Sequence, residues 1–225
     1  MANFATHVSV AGVVGGALAG AVAGTGHLQG AGAPLAWAGL FTAGTLLPDI
    51  DVDGGRAQRW LFSGLAFGAF LLVLLPVIPV TGVSWRQWLE TGGCERILLA
   101  AGAWLLVRFP LAWGFQRATR HRGLCHSLVV GWLWGLGWTY LALTCLHMTP
   151  EAAWLQGAAI FLGFVLHLIL DEISSVDLDN ARVKRSFGSA LKIWAPDQPL
   201  ASLAATLAVI LLLWALPLPW GWLAR

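Results

Sequence analysis

Between Thr119 and Ser127 the chain sets two imidazoles, His121 and His126, beside the guanidinium groups of Arg120 and Arg122, at the edge of an apolar run. Two other stretches supply carboxylates to match. Leu46 to Asp53 carries Asp49 and Asp51 just after Pro48, and Gly163 to Glu172 carries His167, Asp171 and Glu172. Imidazole nitrogen and carboxylate oxygen together are a donor set for zinc, with manganese and iron as alternatives, and more than four such donors imply two or more ions. On a helix His167 and Asp171 project from one face about one turn apart, as two ligands to one ion would. His121 and His126 are five residues apart across Gly123, which suits a helix entrance. Asp49 and Asp51, two apart after Pro48, suit an irregular turn in which both carboxylates point at one place. The rival reading is a structural polar network. Against it, His167 lies inside an apolar run, where an ionisable group is costly unless paired or bound.

These residues must be positioned by apolar helices. Only 11% of the 225 residues are charged, 58% are hydrophobic and the mean hydropathy is +0.73, too apolar for a soluble domain. A bilayer crossing needs about 20 mostly apolar residues, and such runs fill most of the chain. The expected architecture is all-α: a polytopic transmembrane bundle of about seven spans, forming one domain over residues 1–225. The spans are expected at about Val8 to Ala23, Leu35 to Leu47, Trp60 to Val80, Ile97 to Phe115, His126 to Leu146, Ala152 to Leu170 and Leu200 to Trp220. The first run lacks a basic leader and is read as a retained span. Pro110 is expected to kink the fourth span or end it early.

Seven spans place His7, Asp49, Asp51, His121, His126 and Asp171 on one face. That face also carries nine basic residues, Arg56, Arg59, Arg117, Arg120, Arg122, Arg182, Lys184, Arg185 and Lys192, against Arg86, Arg96 and Arg225 on the other. By the positive-inside rule the ligand-rich face is cytoplasmic. The basic residues form no continuous stripe, so no nucleic-acid partner is expected. The expected partner is the lipid bilayer. Cys94 and Cys145 both fall near the opposite face, with nothing to fix their separation.

Four motifs, in order, carry a resemblance to a known family: Thr6-His7, Leu-Leu-Pro-Asp-Ile-Asp over 46–51, His-Arg-Gly-x-x-His-Ser over 121–127, and Gly-x-x-x-His-x-x-x-Asp over 163–171. The chain resembles the YdjM-like inner-membrane proteins, identified as metal-dependent hydrolases and grouped distantly with zinc-dependent phospholipases C and single-strand nucleases. The resemblance implies that the bilayer is that of the cell inner membrane and that His7, Asp49, Asp51, His121, His126, His167 and Asp171 ligate clustered metal ions. It also has departures, with Val52-Asp53 after the Asp-Ile-Asp and Cys125 before the second His of the third motif.

The expected activity is that of a membrane-embedded metal-dependent hydrolase, a phosphoesterase using metal-activated water on a lipid such as a phospholipid or isoprenoid phosphate. Asp51, Glu172 and Arg122 are the expected catalytic groups, with Glu172 as proton shuttle or as a partner to a ligand. Arg108, Lys184 and Arg185 are the expected phosphate-binding groups, although Arg108 can also be read as a snorkelling side chain and Lys184 and Arg185 as contacts to anionic lipid. Two alternatives stand beside the enzyme. One is a transporter or ion carrier, whose ligands would be expected nearer the midplane; the other is a non-catalytic membrane protein stapled by metal.

Overall fold

The computed structural model describes residues 3–52, 54–74, 86, 92–118, 123–177, 182–183, 188 and 191–219. Among them the long elements are all helical, joined by one antiparallel pair of two-residue strands, β1 (Val176–Asp177) and β2 (Arg182–Val183). The chain divides into two compact units, one of Met1–Asp49 with His121–Arg225 and the other of Ile50–Arg120.

In the first unit, α1 (Phe4–Gly24) starts on Asn3, whose side chain accepts a hydrogen bond from the Thr6 N–H at 2.8 Å. That cap satisfies one of the orphan donors of the first turn. The helix therefore begins before the expected Val8 and takes His7 into its first turns. Its buried positions, His7, Ala11, Gly15 and Ala19, recur every four residues and form one stripe. Small side chains there let α1 approach α2 (Ala33–Leu46), which answers with Trp37 and Phe41 on its own four-residue stripe ending at Thr45.

Three more helices follow in this unit. α5 (Leu128–Thr144) follows a short 3-10 turn, Leu124–His126, and α6 (Pro150–Ile173) is capped by Thr149 with Pro150 in its first turn. α6 lies against both α2 and α5, and glycine makes this possible. A Cβ on Gly163 would come closer than 3.0 Å to the Phe41 carbonyl, and one on Gly44 closer than that to the Ile160 backbone. The α2 and α6 backbones thus touch directly. α7 (Pro199–Ala215) packs along α5.

The second unit pairs α3 (Arg56–Leu74) with α4, which runs in three parts: Cys94–Leu106, a π turn at Val107–Leu111, and Ala112–Ala118. Of the two expectations for Pro110, the early end is the one corrected, because a π turn carries the helix through it. Proline cannot donate to the preceding turn and its ring crowds a carbonyl there; the wider π geometry accommodates it and the helix continues. Phe62 and Phe115 meet with ring centroids 5.5 Å apart, and Gln116 Nε2 donates to Gln58 Oε1 at 2.8 Å.

Among the described residues, four helices are long and apolar enough to cross a membrane: α1, α3, α4 over Cys94–Arg117, and α6. α5 and α7 are shorter apolar helices of 17 residues each, and α2 has 14.

Candidate metal centre

Four elements of the first unit end at one place. α1 brings His7, the turn after α2 brings Asp49, the 3-10 turn before α5 brings His126, and the last turns of α6 bring His167 and Asp171. His7, His126, His167 and Asp171 are fully buried; the Asp49 side chain alone keeps some exposure, 16%. Two overlapping groups have donor atoms close enough for one ion each: His7, Asp49 and His167, and His126, His167 and Asp171.

The separations are informative. His7 Nε2 lies 3.4 Å from Asp171 Oδ1, and His167 Nε2 lies 3.6 Å from Asp49 Oδ1. Asp171 Oδ2 is 3.9 Å from both His126 Nε2 and His167 Nε2. Good N–H···O bonds are shorter than this. Donor atoms on a tetrahedral zinc, with bonds of about 2.0–2.1 Å, lie about 3.3 Å apart. The two oxygens of Asp171 also face different imidazoles, the arrangement of a carboxylate that bridges.

The protons make the same point. His167 Nδ1 lies 2.7 Å from the Thr45 carbonyl oxygen, an acceptor, so Nδ1 carries the proton and donates it. In the neutral ring Nε2 then presents a lone pair, and what it faces is carboxylate oxygen from Asp49 and Asp171. Lone pair against lone pair is repulsive unless a cation lies between. His167 Nε2 and both ring nitrogens of His7 have no hydrogen-bond partner among the described residues. A buried polar atom left in that state costs roughly 1–3 kcal/mol. The rings of His7 and His167 stack with centroids 3.9 Å apart and planes 10° apart, while His126 meets His167 edge-on at 5.5 Å. This donor set fits a transition metal, and His167 has its second nitrogen fixed by a backbone carbonyl, as a metal-ligating imidazole usually does.

The sequence profile of the YdjM inner membrane protein family matches residues 1–179, about four-fifths of the chain. The chain belongs to that family. All five converging residues fall inside the match. No curated protein and no solved structure matches the chain. Membership and the apolar helices together make this an inner-membrane protein of the YdjM family, one whose described residues gather a histidine and aspartate cluster able to hold metal.

The remaining site residues are placed as follows. Asp51 ends the 3-10 turn Pro48–Asp51, is 4% exposed and belongs to the second unit. Arg108, also in that unit, sits on the π turn with its guanidinium carbon 5.5 Å from the Phe109 ring centroid. Glu172 follows Asp171 on α6 and accepts a hydrogen bond from the Gly188 N–H. His121, Arg122, Lys184 and Arg185 lie outside the described residues. Cys94 and Cys145 are free, exposed thiols. Two contributors were not legible beforehand. The Thr45 carbonyl is a backbone group with no signature of its own; Gly163, four residues before His167, was the available hint. The other is a strap, residues 191–198, that holds the turn carrying His126. Its carbonyls at Lys192 and Ile193 accept from Leu128 and Val129 at 2.9 and 3.3 Å, and Gln198 Oε1 accepts from the Leu124 N–H at 3.3 Å.

Proposed function

We propose that this protein is a membrane-embedded, metal-dependent hydrolase that cleaves a phosphoester of a lipid or other membrane-associated substrate. The observation that carries the reading is the His167 ring: one nitrogen is tied to Thr45, and the other aims a lone pair at the carboxylates of Asp49 and Asp171. His7, Asp49, His126, His167 and Asp171 would hold the metal, with His121 and Asp51 completing the set by family resemblance. Zinc is the first choice, with two or more ions. Such a metal, when bound, supplies Lewis acidity and a water that deprotonates near neutral pH. Kinship with zinc-dependent phospholipases C and single-strand nucleases would fit the same chemistry.

The chain's own residues have separable duties. The Thr45 carbonyl keeps the proton on His167 Nδ1 and so keeps Nε2 free to ligate. His167 is common to the two donor groups, and Asp171 of one group faces His7 of the other. Asp49, the least enclosed of the five, marks the side from which substrate approaches. Arg122, Arg108, Lys184 and Arg185 are assigned to phosphate oxygens, Arg122 foremost because a planar guanidinium grips phosphate at two points. Glu172 is assigned proton transfer. Seven spans with the site at the cytoplasmic face complete the proposal.

The test is metal analysis followed by turnover. Protein purified without chelator should carry at least one equivalent of transition metal, and the double change His121→Ala, His126→Ala should remove most of it. Metal-replete protein, screened at neutral pH against phospholipids, isoprenoid phosphates and a chromogenic phosphodiester, should hydrolyse one class, with Asp51→Asn losing that activity by orders of magnitude while still inserting and folding. Turnover of none of them by metal-replete protein overturns the hydrolase reading. One observation favours a second reading: the five residues join four elements and four of the five are fully enclosed, as in a metal staple. A staple would leave protein that unfolds on chelation and hydrolyses nothing.

A further inference from the structure

The strap over residues 191–198 lies beyond the part of the chain that the family profile covers, yet it is bonded to the turn that carries His126. Lys192 pairs with Ser127 as an isolated parallel bridge, and the Lys192 and Ile193 carbonyls take the first N–H groups of α5. Ser127 itself makes no side-chain cap to α5, because its hydroxyl donates to the Leu124 carbonyl at 2.7 Å. The strap therefore does the capping. It is held at its far end by Ser202, whose hydroxyl donates to the Ala195 carbonyl at 3.1 Å.

With its backbone turned inward, the strap turns large apolar side chains outward. Leu191 is 44% exposed, Ile193 70% and Trp194 40%. A soluble loop with that surface would be a liability. Here the helix that follows directly in the chain, α7, also exposes large apolar side chains, at Leu200, Leu203, Leu207 and Leu211. Lys192 pairs with Asp197 at 4.0 Å beside it. Apolar tip, tryptophan and lysine at the end of an apolar helix are the chemistry of the headgroup boundary, where an amphipathic ring rests and a cation meets lipid phosphate.

We infer that the apolar tip Leu191, Ile193 and Trp194 is seated in the lipid leaflet at the headgroup and acyl boundary, so that the membrane itself holds the strap that caps α5 and the His126 turn. The occupant of this surface is lipid. The inference rests on the membrane-spanning reading of the helices and is independent of metal and of hydrolysis. It has a consequence for the site, which then opens at headgroup depth.

The experiment uses the full chain in phosphatidylcholine and phosphatidylglycerol nanodiscs, with Cys94 and Cys145 changed to Ser and a nitroxide attached at Ile193→Cys. Reference labels go at Gln29→Cys in an exposed loop and at Leu207→Cys on α7. The label at 193 should collide with oxygen more than with a water-soluble nickel chelate, at a ratio between the two references. In the unlabelled chain, Trp194→Asp with Ile193→Asp should raise hydrogen exchange at the Leu128 and Val129 amides at least tenfold while leaving exchange in the middle of α6 unchanged. A label at 193 as open to the nickel chelate as the one at 29 overturns the inference. So does one closed to both reagents, the result expected if a second copy of the chain covers the tip. Metal content is measured on the same samples, so loss of the metal reading would be seen separately.

Discussion

At the scale of single residues, His167 carries the most information because both of its ring nitrogens have defined surroundings. Its Nδ1–H is used by Thr45 and its Nε2 meets two carboxylates, so removing the ring deletes a donor from both overlapping groups at once. His167→Ala should therefore lower metal content further than His126→Ala, which deletes a donor from one group only; elemental analysis after equal dialysis distinguishes them. Asp171 belongs to one group but also reaches His7 of the other, with its oxygens facing different imidazoles. Asp171→Asn retains the shape and loses the charge, and should cost at least one equivalent of metal while leaving the helical circular dichroism intact. Equal metal in wild-type and Asp171→Asn protein would remove it from the ligand set. Because a ligand that binds only the folded state stabilises by about 2.7 kcal/mol at a hundred times its dissociation constant, chelation should also lower the melting temperature, and returned zinc should restore it.

At the scale of elements, the centre depends on how closely α2 and α6 approach. Gly163 sits one turn before His167, and the Phe41 carbonyl occupies the space where a side chain would go. Gly163→Ala must push the two helices apart, and the bond from His167 to Thr45 joins the same two helices one turn further on. The expected cost is about 1–3 kcal/mol of stability, the usual range for overpacking, together with a loss of metal affinity that neighbouring alanine changes do not cause. Gly12→Ala on α1 is the control, since a Cβ there meets nothing within 4 Å. Thermal melts with and without zinc measure both effects. If Gly163→Ala binds zinc as wild type does, the contact between α2 and α6 is packing alone and does not position the ligand.

For the whole molecule, orientation decides which pool of substrates the centre can meet. On the proposed seven-span topology nine basic residues fall on the ligand-rich face and three on the other, a bias that sets topology when it occurs in short loops. A cysteine introduced at Arg185 should be protected from impermeant thiol reagents in intact cells, and one at Glu90 should react. The reverse pattern would move the proposed chemistry across the membrane. The same labelling tests the seven-span count, because an even number of crossings between the two positions would give them equal reactivity.

Much of this molecule was legible in the sequence because the relevant signals are local. Apolar runs mark helices, since a chain in lipid must satisfy its own backbone polar groups. A spacing of four puts His167 above Asp171, and Pro48 ends α2 beside Asp49, whatever the rest of the chain does. Membership of the YdjM family follows from the same short motifs. Which helices touch, and which atoms meet where they touch, is a different kind of fact. The stacking of His7 on His167, the donation from His167 to a carbonyl 122 residues away, and the strap that caps α5 join groups distant in the chain. They depend on close packing between small residues and on backbone carbonyls, and every residue type carries the same carbonyl. Sequence therefore determined the kinds of donor and their local spacing, whereas only the tertiary structure decided which lone pairs face one another and so where a cation could be held.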